Sequence, residues 1–583
     1  MGENNQYTFE NEEYKNAYRH TGAHILAQAV KRLYPDVKLA IGPAIADGFY
    51  YDFDTDEPFT PDMLELIEAE MRKISKERLP LERFELSRED AIKFVKEQGE
   101  TYKLELINEL PDDAVISFYS QGDFSDMCAG PHVDSTGRVK ANALKLTSAT
   151  GAYWRGNAEN KMLQRIYGTC FMSKNELDEY LMRIEEAKKR DHRKLGRELD
   201  LFAMYEEGPG FPFFFPKGMI LRNELLKFWR EEHIKAGYDE ISTPIILNEE
   251  LWHRSGHWEH YKNNMYFSKI DGEDYAIKPM NCPGGIIVYK RRMWSYRDFP
   301  IRYAELGLVH RHELSGALHG LMRVRSFTQD DAHLYMTPDD IPSEIANAID
   351  LVDRIYSVFG FEYKVELSTR PEDFMGEIET WDVAEKILED VLIEKKVSYI
   401  VNPGDGAFYG PKIDFHLVDS LSRTWQCATL QLDFQMPERF ELEYVGSDGL
   451  KHRPVMIHRT MLGSLERFIG ILTEHYAGAF PLWLAPVQIM VLPITERAHE
   501  YSRQLADKLI GAGFRIETDL RREKIGLKIR EAQLQKIPYM LVLGDKEVEN
   551  GLLTVRKRAE GDIGTMSPDE FIAKIKEENK KRS

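Results

Sequence analysis

The sequence predicts an α+β protein of several domains that closes in a small α/β domain. Three observations predict it. The chain has 583 residues, and single cores rarely grow beyond about 250–300 residues. A charge-dense run of helix formers, Ser173–Glu198, separates two blocks of mixed helix and strand patterning. After Ala485, strand-like and helix-like segments alternate, the order that builds a sheet covered by helices.

Taken in order, Tyr14–Leu33 carries Tyr18, Ala23, Ile25, Leu26, Ala29 and Leu33 on one helical face. Pro61–Lys76 predicts a second helix, with Thr60 as N-cap and Pro61 at the first helical position. Ser173–Glu198 reads as one solvated connecting helix. From about 200 to 480, strand-like runs such as Ile301–Val309 and Ser398–Val401 lie between amphipathic helices. The last block predicts strand Val487–Leu492, helix Ala498–Ala512, strand Arg515–Thr518, helix Lys524–Gln535 and strand Tyr539–Leu543 around a mixed sheet. Gly513 should end the first of those helices.

At 43% hydrophobic and 30% charged, the composition is that of a soluble protein. The polar start, Met-Gly-Glu-Asn-Asn, carries no signal-peptide pattern, and the most apolar stretch, Ala479–Ile494, is broken by Pro481, Pro486 and Pro493. Cys128, Cys170, Cys282 and Cys427 are too few and too scattered for a disulfide framework, so a cytoplasmic chain without a membrane span is expected. The net charge of −20 argues against nucleic acid, yet from Val487 to Ser583 there are 19 Lys and Arg against 16 Asp and Glu. A local basic track can still hold a phosphate backbone.

Chemistry concentrates in FPIRYAELGLVHRHELSGALHGLMRVRSFTQDDAH, Phe299 to His333. Period-2 spacing predicts one strand presenting Arg311 and Glu313 on one face, and a returning strand presenting Arg325, Phe327, Gln329 and Asp331. Guanidinium forks suit phosphate, an aromatic ring suits a base, and carboxylates suit a metal or an amino group. An exposed hairpin laced with ion pairs would use the same residues. Further on, Gly463-Ser464-Leu465-Glu466-Arg467-Phe468 opens an apolar helix with Arg467 near an anion-favouring N-terminus.

Together these segments resemble the class II aminoacyl-tRNA synthetases, whose fold is an antiparallel sheet flanked by helices. The Arg-x-Glu strand-loop-strand is similar to the second class signature and Gly463–Phe468 to the third. The helix from Arg222 through Gly237 into Ile241-Ser242-Thr243-Pro244 is similar to the first, which in the family forms the interface of a homodimer. The resemblance implies that Arg311 grips the α-phosphate of ATP, which binds with Mg2+. Phe327 and Arg467 would enclose the adenine, and Glu313, Arg325 and Gln426 would support the nucleotide.

MNCPGG (Met280 to Gly285), DDAHLY (Asp330 to Tyr335) and IHRTMLGSLERF (Ile457 to Phe468) resemble the threonyl-tRNA synthetases more narrowly. By that resemblance Cys282, His333 and His458 bind one catalytic Zn2+ per subunit. Asp331 and Tyr409 hold the amino group of threonine, while Gln329 and Gln426 line its carboxylate and the phosphate. His257 assists deprotonation of the terminal ribose, although a His in a Gly-Trp loop can equally be structural. The gaps of 51 and 125 residues fit no compact metal motif, so the zinc rests on the resemblance. Its chemistry is coherent: one thiolate and two imidazoles leave an open position, to which threonine can offer amino and hydroxyl groups and valine cannot. Withholding a partner from such a polar group discriminates by roughly 10⁴–10⁵. Serine offers the same two groups, and a missing methyl is worth only about 1–3 kcal/mol, so a second, hydrolytic sieve is expected.

His20-Thr-Gly-Ala-His24 places two imidazoles on one helix face, and Cys128-Ala-Gly-Pro-His132 adds a thiol and a third imidazole. A hydrolytic pocket, a closed zinc site and coincidence all fit the residues alone. The pairing resembles the editing domains of threonyl- and alanyl-tRNA synthetases, which implies a metal-free pocket of His20, His24, Cys128 and His132. Lys103 and Asp126 would support it, with Tyr51 a weaker candidate. Asp519–Glu531 and Leu543–Glu549 resemble an anticodon-binding domain, which places Lys524, Arg530, Glu547 and Arg556 against splayed loop bases. A charged solvated face fits most of these four singly, and Arg522 stands where Asn is expected.

The resemblance implies an editing domain over 1–171, a linker helix over 172–198, a catalytic domain over 199–482 and an anticodon-binding domain over 483–583. Most bacterial members begin with a further ubiquitin-like TGS domain, whereas this sequence starts at the editing block. The implied function is ATP-dependent ligation of L-threonine to tRNA(Thr), with hydrolysis of mischarged Ser-tRNA(Thr). A non-aminoacylating paralogue that regulates by binding RNA is the alternative.

Overall fold

The computed structural model describes residues 7–157 and 159–582, and these divide into two compact units, one up to Glu185 and one from Glu186.

In the first unit the helix Glu12–Leu33 starts where Asn11 caps it, accepting from the Tyr14 N–H. Its buried residues run through most of Ala17–Val30 rather than along one stripe, because the chain surrounds it. The helix Pro61–Glu77 begins as expected, with Thr60 accepting from the Met63 N–H and Pro61 in the first turn. Lys38–Leu39, Gly48–Asp54, Met162–Cys170 and Leu144–Tyr153 form one antiparallel sheet, with Ala44–Ile45 paired to Gly48–Asp54. Tyr18, Leu26, Phe49, Phe53, Ile67 and Ile166 fill the core between them. Glu82–Leu86, Ile116–Gln121 and Phe124–Met127 make a smaller sheet that ends at Cys128.

The connecting segment is two helices, Lys174–Arg190 and His192–Glu198, where one was expected. Asp191 caps a fresh start by accepting from the Arg193 N–H, and the second helix buries His192, Leu195 and Gly196 instead of remaining solvated.

An eight-stranded sheet organises the second unit, in the order Asp239–Glu240, Ile301–His310, Ser326–Met336, Val455–Ser464, Thr424–Asp433, Lys412–Val418, Glu362–Ser368, Tyr399–Asn402. All pairings are antiparallel except the outermost at each edge. The helices Pro216–Lys235, Ile341–Val358, Ile378–Glu394 and Leu465–His475 bury their apolar residues in the same core, with Trp229, Val352, Leu388 and Phe468 among them.

The C-terminal sheet is mixed, as predicted. Ile516–Thr518, Ile489–Pro493 and Tyr539–Leu543 are parallel, then Leu553–Lys557 and Gly561–Met566 antiparallel. Gly513, at φ +96°, follows the helix His499–Gly511. The final hairpin and the capped helix Pro568–Lys581 complete this region.

Candidate active site

A cavity of about 570 Å³ opens over one face of the eight-stranded sheet. Period-2 alternation builds its floor. Phe327, Gln329 and Asp331 line it from one strand, His458 and Thr460 from the next, and Thr429 and Gln431 from a third. The register stacks His333, His458 and Gln431 in one row, with Asp331, Thr460 and Thr429 in another. A bulge between Gln329 and Asp331 offsets the two rows from the Ser464 end. Asp331 is buried, and loss of solvent pushes its carboxyl up to about 7 against the charge of His458 and a hydrogen bond from Asn281 Nδ2 at 3.3 Å. Gly307 is required by this contact, since a Cβ there would lie 2.2 Å from Asn281 Oδ1.

The two arginine signatures meet at the cavity, but not as alternation predicted. The strand ends at His310, and a local turn with the Glu313 N–H donating to the Arg311 carbonyl takes both residues off the sheet. Arg311 Cζ lies 5.2 Å from the Phe327 ring centre, and its Nε donates to the Pro279 carbonyl. Arg325 precedes the returning strand and braces the loop, donating to the carbonyls of Glu313 and Pro209 and to Ser315 Oγ. Arg323, two residues earlier, lines the cavity in its place and pairs with the Glu313 carboxylate at 2.9 Å. Across the cavity, Arg467 sits in the first turn of the helix Leu465–His475, capped by Ser464, and donates to the carbonyls of Met322 and Gln426. Gln426 lines the wall and donates through Nε2 to Asp414 at 2.7 Å.

Two buried carboxylates hold this frame. Asp330, on the opposite face of the strand from Asp331, accepts from the N–H groups of Met461, Leu462 and Gly463 and from Trp229 Nε1. Glu305 accepts from the Thr243 N–H and hydroxyl and pairs with Lys278 at 3.0 Å, which ties the end of the first signature to the site.

The structure brings Cys282, His333 and His458 together, one donor atom from each lying within 4.8 Å of the others, all buried. Both ring nitrogens of His333 are buried without a hydrogen-bond partner. His458 Nε2 lies 2.8 Å from Asp433 Oδ2, which leaves Nδ1 as its available ligand atom. Tyr409 closes this end of the cavity, its ring 5.2 Å from that of His458. His257 does not reach the cavity wall. It is fully buried, with Nδ1 against Ser255 Oγ and Nε2 against Met280 Sδ, 4.0 Å from Cys282 Sγ. Burial lowers its pKa to about 3.

In the first unit the quartet also converges. Cys128 Sγ lies 3.2 Å from His20 Nε2 and 3.3 Å from His132 Nε2, and the four donors including His24 lie within 4.8 Å of one another. Behind them, Lys103 Nζ pairs with Asp126 Oδ1 at 2.7 Å, and the Tyr51 hydroxyl donates to Asp126 Oδ2 at 2.5 Å, so Tyr51 belongs to the group. Burial pushes the Cys128 thiol up to about 11 and lowers all three imidazoles. Burial therefore favours the uncharged form of all four side chains.

The four anticodon candidates are not gathered in one pocket. Lys524 and Arg530 are exposed along the helix Ile525–Leu534, Glu547 caps a short helix through the Gly544 N–H and accepts from Thr554, and Arg556 lies on the strand Leu553–Lys557. A cavity of about 530 Å³ nearby is lined by Arg521, Glu531 and the buried Lys528, which sequence reasoning did not single out. Arg522 is exposed and pairs with Glu496. Asn281, Thr429, Gln431, Thr460 and Arg323 were likewise missed. Alternation from His458 to Thr460, or from Arg325 back to Arg323, was the available signal.

Residues 266–476 match the class II core domain of tRNA synthetases (G, H, P, S and T), 488–578 the anticodon binding domain, and 116–167 the threonyl and alanyl tRNA synthetase second additional domain. The chain is 68% identical to the threonine–tRNA ligase of Acetivibrio thermocellus over 573 residues, 98% of this chain and 90% of that protein. It is 67% identical to that of Clostridium botulinum over 576 residues, 99% of this chain and 90% of that one. The crystal structure of the RNA binding domain of threonyl-tRNA synthetase from Cryptosporidium parvum superposes with a TM-score of 0.65 at 42% identity, covering 66% of this chain and 98% of that one. With the cavity, the three matched domains and this identity along nearly its full length, the chain belongs to the threonyl-tRNA synthetase family.

Proposed function

We propose that this chain ligates L-threonine to tRNA(Thr) in two steps and hydrolyses Ser-tRNA(Thr) formed in error. One observation carries the first half. A single cavity sets the guanidinium groups of Arg311 and Arg467 beside the Cys282–His333–His458 cluster, so a nucleotide phosphate and a hydroxyl amino acid can lie side by side. We read 199–482 as the catalytic domain, 1–171 as the editing domain, 172–198 as the linker and 483–583 as the anticodon-binding domain.

The thiol, the partnerless imidazole of His333 and the Asp433-oriented imidazole of His458 fit zinc, and these three residues would hold one ion per subunit. Bound there, zinc supplies an open Lewis-acid position for the amino and hydroxyl groups of threonine. Asp331 and Tyr409 orient the amino group, and Gln329 turns the carboxylate toward Arg311. With Mg·ATP as cosubstrate, a carboxylate oxygen bonds to the α-phosphorus and pyrophosphate leaves, while Arg311 and Arg323 meet the developing charge. The terminal ribose hydroxyl of tRNA then attacks the carbonyl carbon and AMP leaves. For His257 to take that proton, Met280 must move aside.

In the first unit the neutral thiol argues against a cysteine nucleophile. The uncharged imidazoles suit a water-activating role, in which water attacks the seryl ester carbonyl and the ribose oxygen leaves with a proton. A closed zinc site is the second reading, favoured by the four clustered donors.

Among the described residues no helix is long and apolar enough to cross a membrane, and we place the protein in the cytoplasm. Ile234, Ile245 and Ile246 expose 72%, 39% and 46% of their surface along the first signature, which supports a homodimer through that face. ATP–pyrophosphate exchange should proceed with threonine, weakly with serine and not with valine. No threonine-dependent exchange in zinc-loaded protein sinks the ligase reading. Metal analysis should find one zinc per chain, lost in Cys282→Ala. A second ion lost in His24→Ala selects the closed-site reading of the quartet.

A further inference from the structure

We propose that His192 is a positioning residue for adenylate formation, seating the arginine-bearing loop against the helix that carries Arg467. The inference rests on the reading of the cavity as an ATP site. His192 opens the helix His192–Glu198 and is completely buried. Its Nε2 accepts from the Leu321 N–H at 2.9 Å, and its Nδ1 lies 2.6 Å from Glu474 Oε1. A backbone N–H can only donate, so Nε2 is the unprotonated nitrogen and Nδ1–H donates to the carboxylate. One tautomer satisfies both bonds. The ring thus joins two chain segments that carry cavity residues.

On one side, Leu321 leads directly into Met322, Arg323 and Val324, all of which line the cavity. The Met322 carbonyl accepts from Arg467 Nε at 3.0 Å. The loop meets the Nε2 edge of the imidazole closely: a Cβ on Gly320 would stand 2.1 Å from His192 Nε2. On the other side, Glu474 is in the helix Leu465–His475, two turns after Arg467. Its second oxygen meets Arg423 Nη2 at 2.5 Å. Arg423 in turn pairs with Asp419 next to the strand Thr424–Asp433, which brings Gln426 to the cavity. A single buried imidazole therefore fixes the spacing between Arg323 and Arg467, the groups placed to hold the two ends of the nucleotide. Misplacing a binding group by about 1 Å can cost on the order of a hundredfold in rate.

The two amide isosteres separate the bonds. In His192→Gln the side-chain oxygen can reach the Leu321 N–H, while the backbone N–H of residue 192, 3.1 Å from Glu474 Oε1, keeps the tie to the helix that carries Arg467. In His192→Asn the amide can replace only the donor to Glu474. Threonine-dependent pyrophosphate exchange, with ATP and threonine varied in turn, should place kcat/KM for ATP in His192→Gln within about threefold of the parent. His192→Asn and Gly320→Ala should lower it roughly tenfold or more with KM for threonine unmoved. Ser-tRNA deacylation and melting temperature report whether each variant is folded. The proposal is overturned if His192→Asn and His192→Gln behave alike, or if the KM values for ATP and threonine rise together. Should His192→Asn fail to fold, Gly320→Ala decides, and an unchanged kcat/KM for ATP refutes the proposal. Absence of exchange in the parent protein would instead overturn the ATP-site reading and this inference with it.

Discussion

At the scale of single residues, the site works by where charge is and is not allowed. Arg311 stacks near Phe327 and takes its place from one backbone carbonyl, so it is free to meet a phosphate. Arg311→Ala should lower threonine-dependent pyrophosphate exchange by about 10²–10³, the usual loss for a transition-state donor. Deacylation of Ser-tRNA by the same preparation should be unaffected. Cys128 behaves oppositely: with its thiol pushed up to about 11 it is protonated at neutral pH despite partial exposure. Alkylation by iodoacetamide should therefore be slow at pH 7.5 and rise about tenfold per pH unit towards that value; fast labelling at neutral pH would show a thiolate and reopen the case for a nucleophile. Much of this scale was legible. The quartet and the triplet converge as the resemblance implied, but Arg325 and Arg323 exchange places, because a three-residue turn at Arg311–Glu313 is invisible to strand periodicity.

At the scale of elements, what aims the side chains is mostly buried carboxylate. Asp330 gathers three successive N–H groups at the end of the strand Val455–Ser464, just before the helix that presents Arg467. Asp330→Ala leaves these donors and the Trp229 N–H unsatisfied and should cost about 3 kcal/mol or more, measured as a fall in melting temperature together with loss of exchange. Burial pushes the Asp330 carboxyl up to about 6 from 3.8. The folded value lies above the unfolded one, so its protonated form favours folding, and the stability this group contributes declines as pH rises from about 4 to about 6. The difference in melting temperature between parent and variant should narrow over that interval. None of this was visible in the sequence, where Asp330 is one letter of DDAHLY. The connecting segment failed for a related reason: Asp191 is an N-cap, and helix-forming composition hid the break beside it.

At the scale of the whole molecule, a chain of net charge −20 has to hold a polyanion. Any attraction must then be local and short-ranged, and correspondingly sensitive to salt. KM for tRNA in aminoacylation should rise by about tenfold or more between 50 and 200 mM salt, whereas KM for ATP in exchange, set inside the cavity, should change little. Equal sensitivity of both would refute a local basic track. The fold itself was well indicated. The alternating C-terminal segments gave the mixed sheet, since strand and helix periods differ plainly there. The order of the eight central strands was not indicated, since long-range pairing leaves no local signature.

The strand Ser326–Met336 acts as a ruler. Its odd-numbered positions Phe327, Gln329 and Asp331 line the cavity and His333 joins Cys282 and His458, while Asp330, between them, faces the opposite way to hold the end of the strand before Arg467. Loss of one residue here would be worse than any single replacement, because everything beyond the deletion would change sides of the sheet. Drift along this segment is therefore restricted to exchanges of side chain at constant length, and inserted or deleted residues belong in the loops at either end.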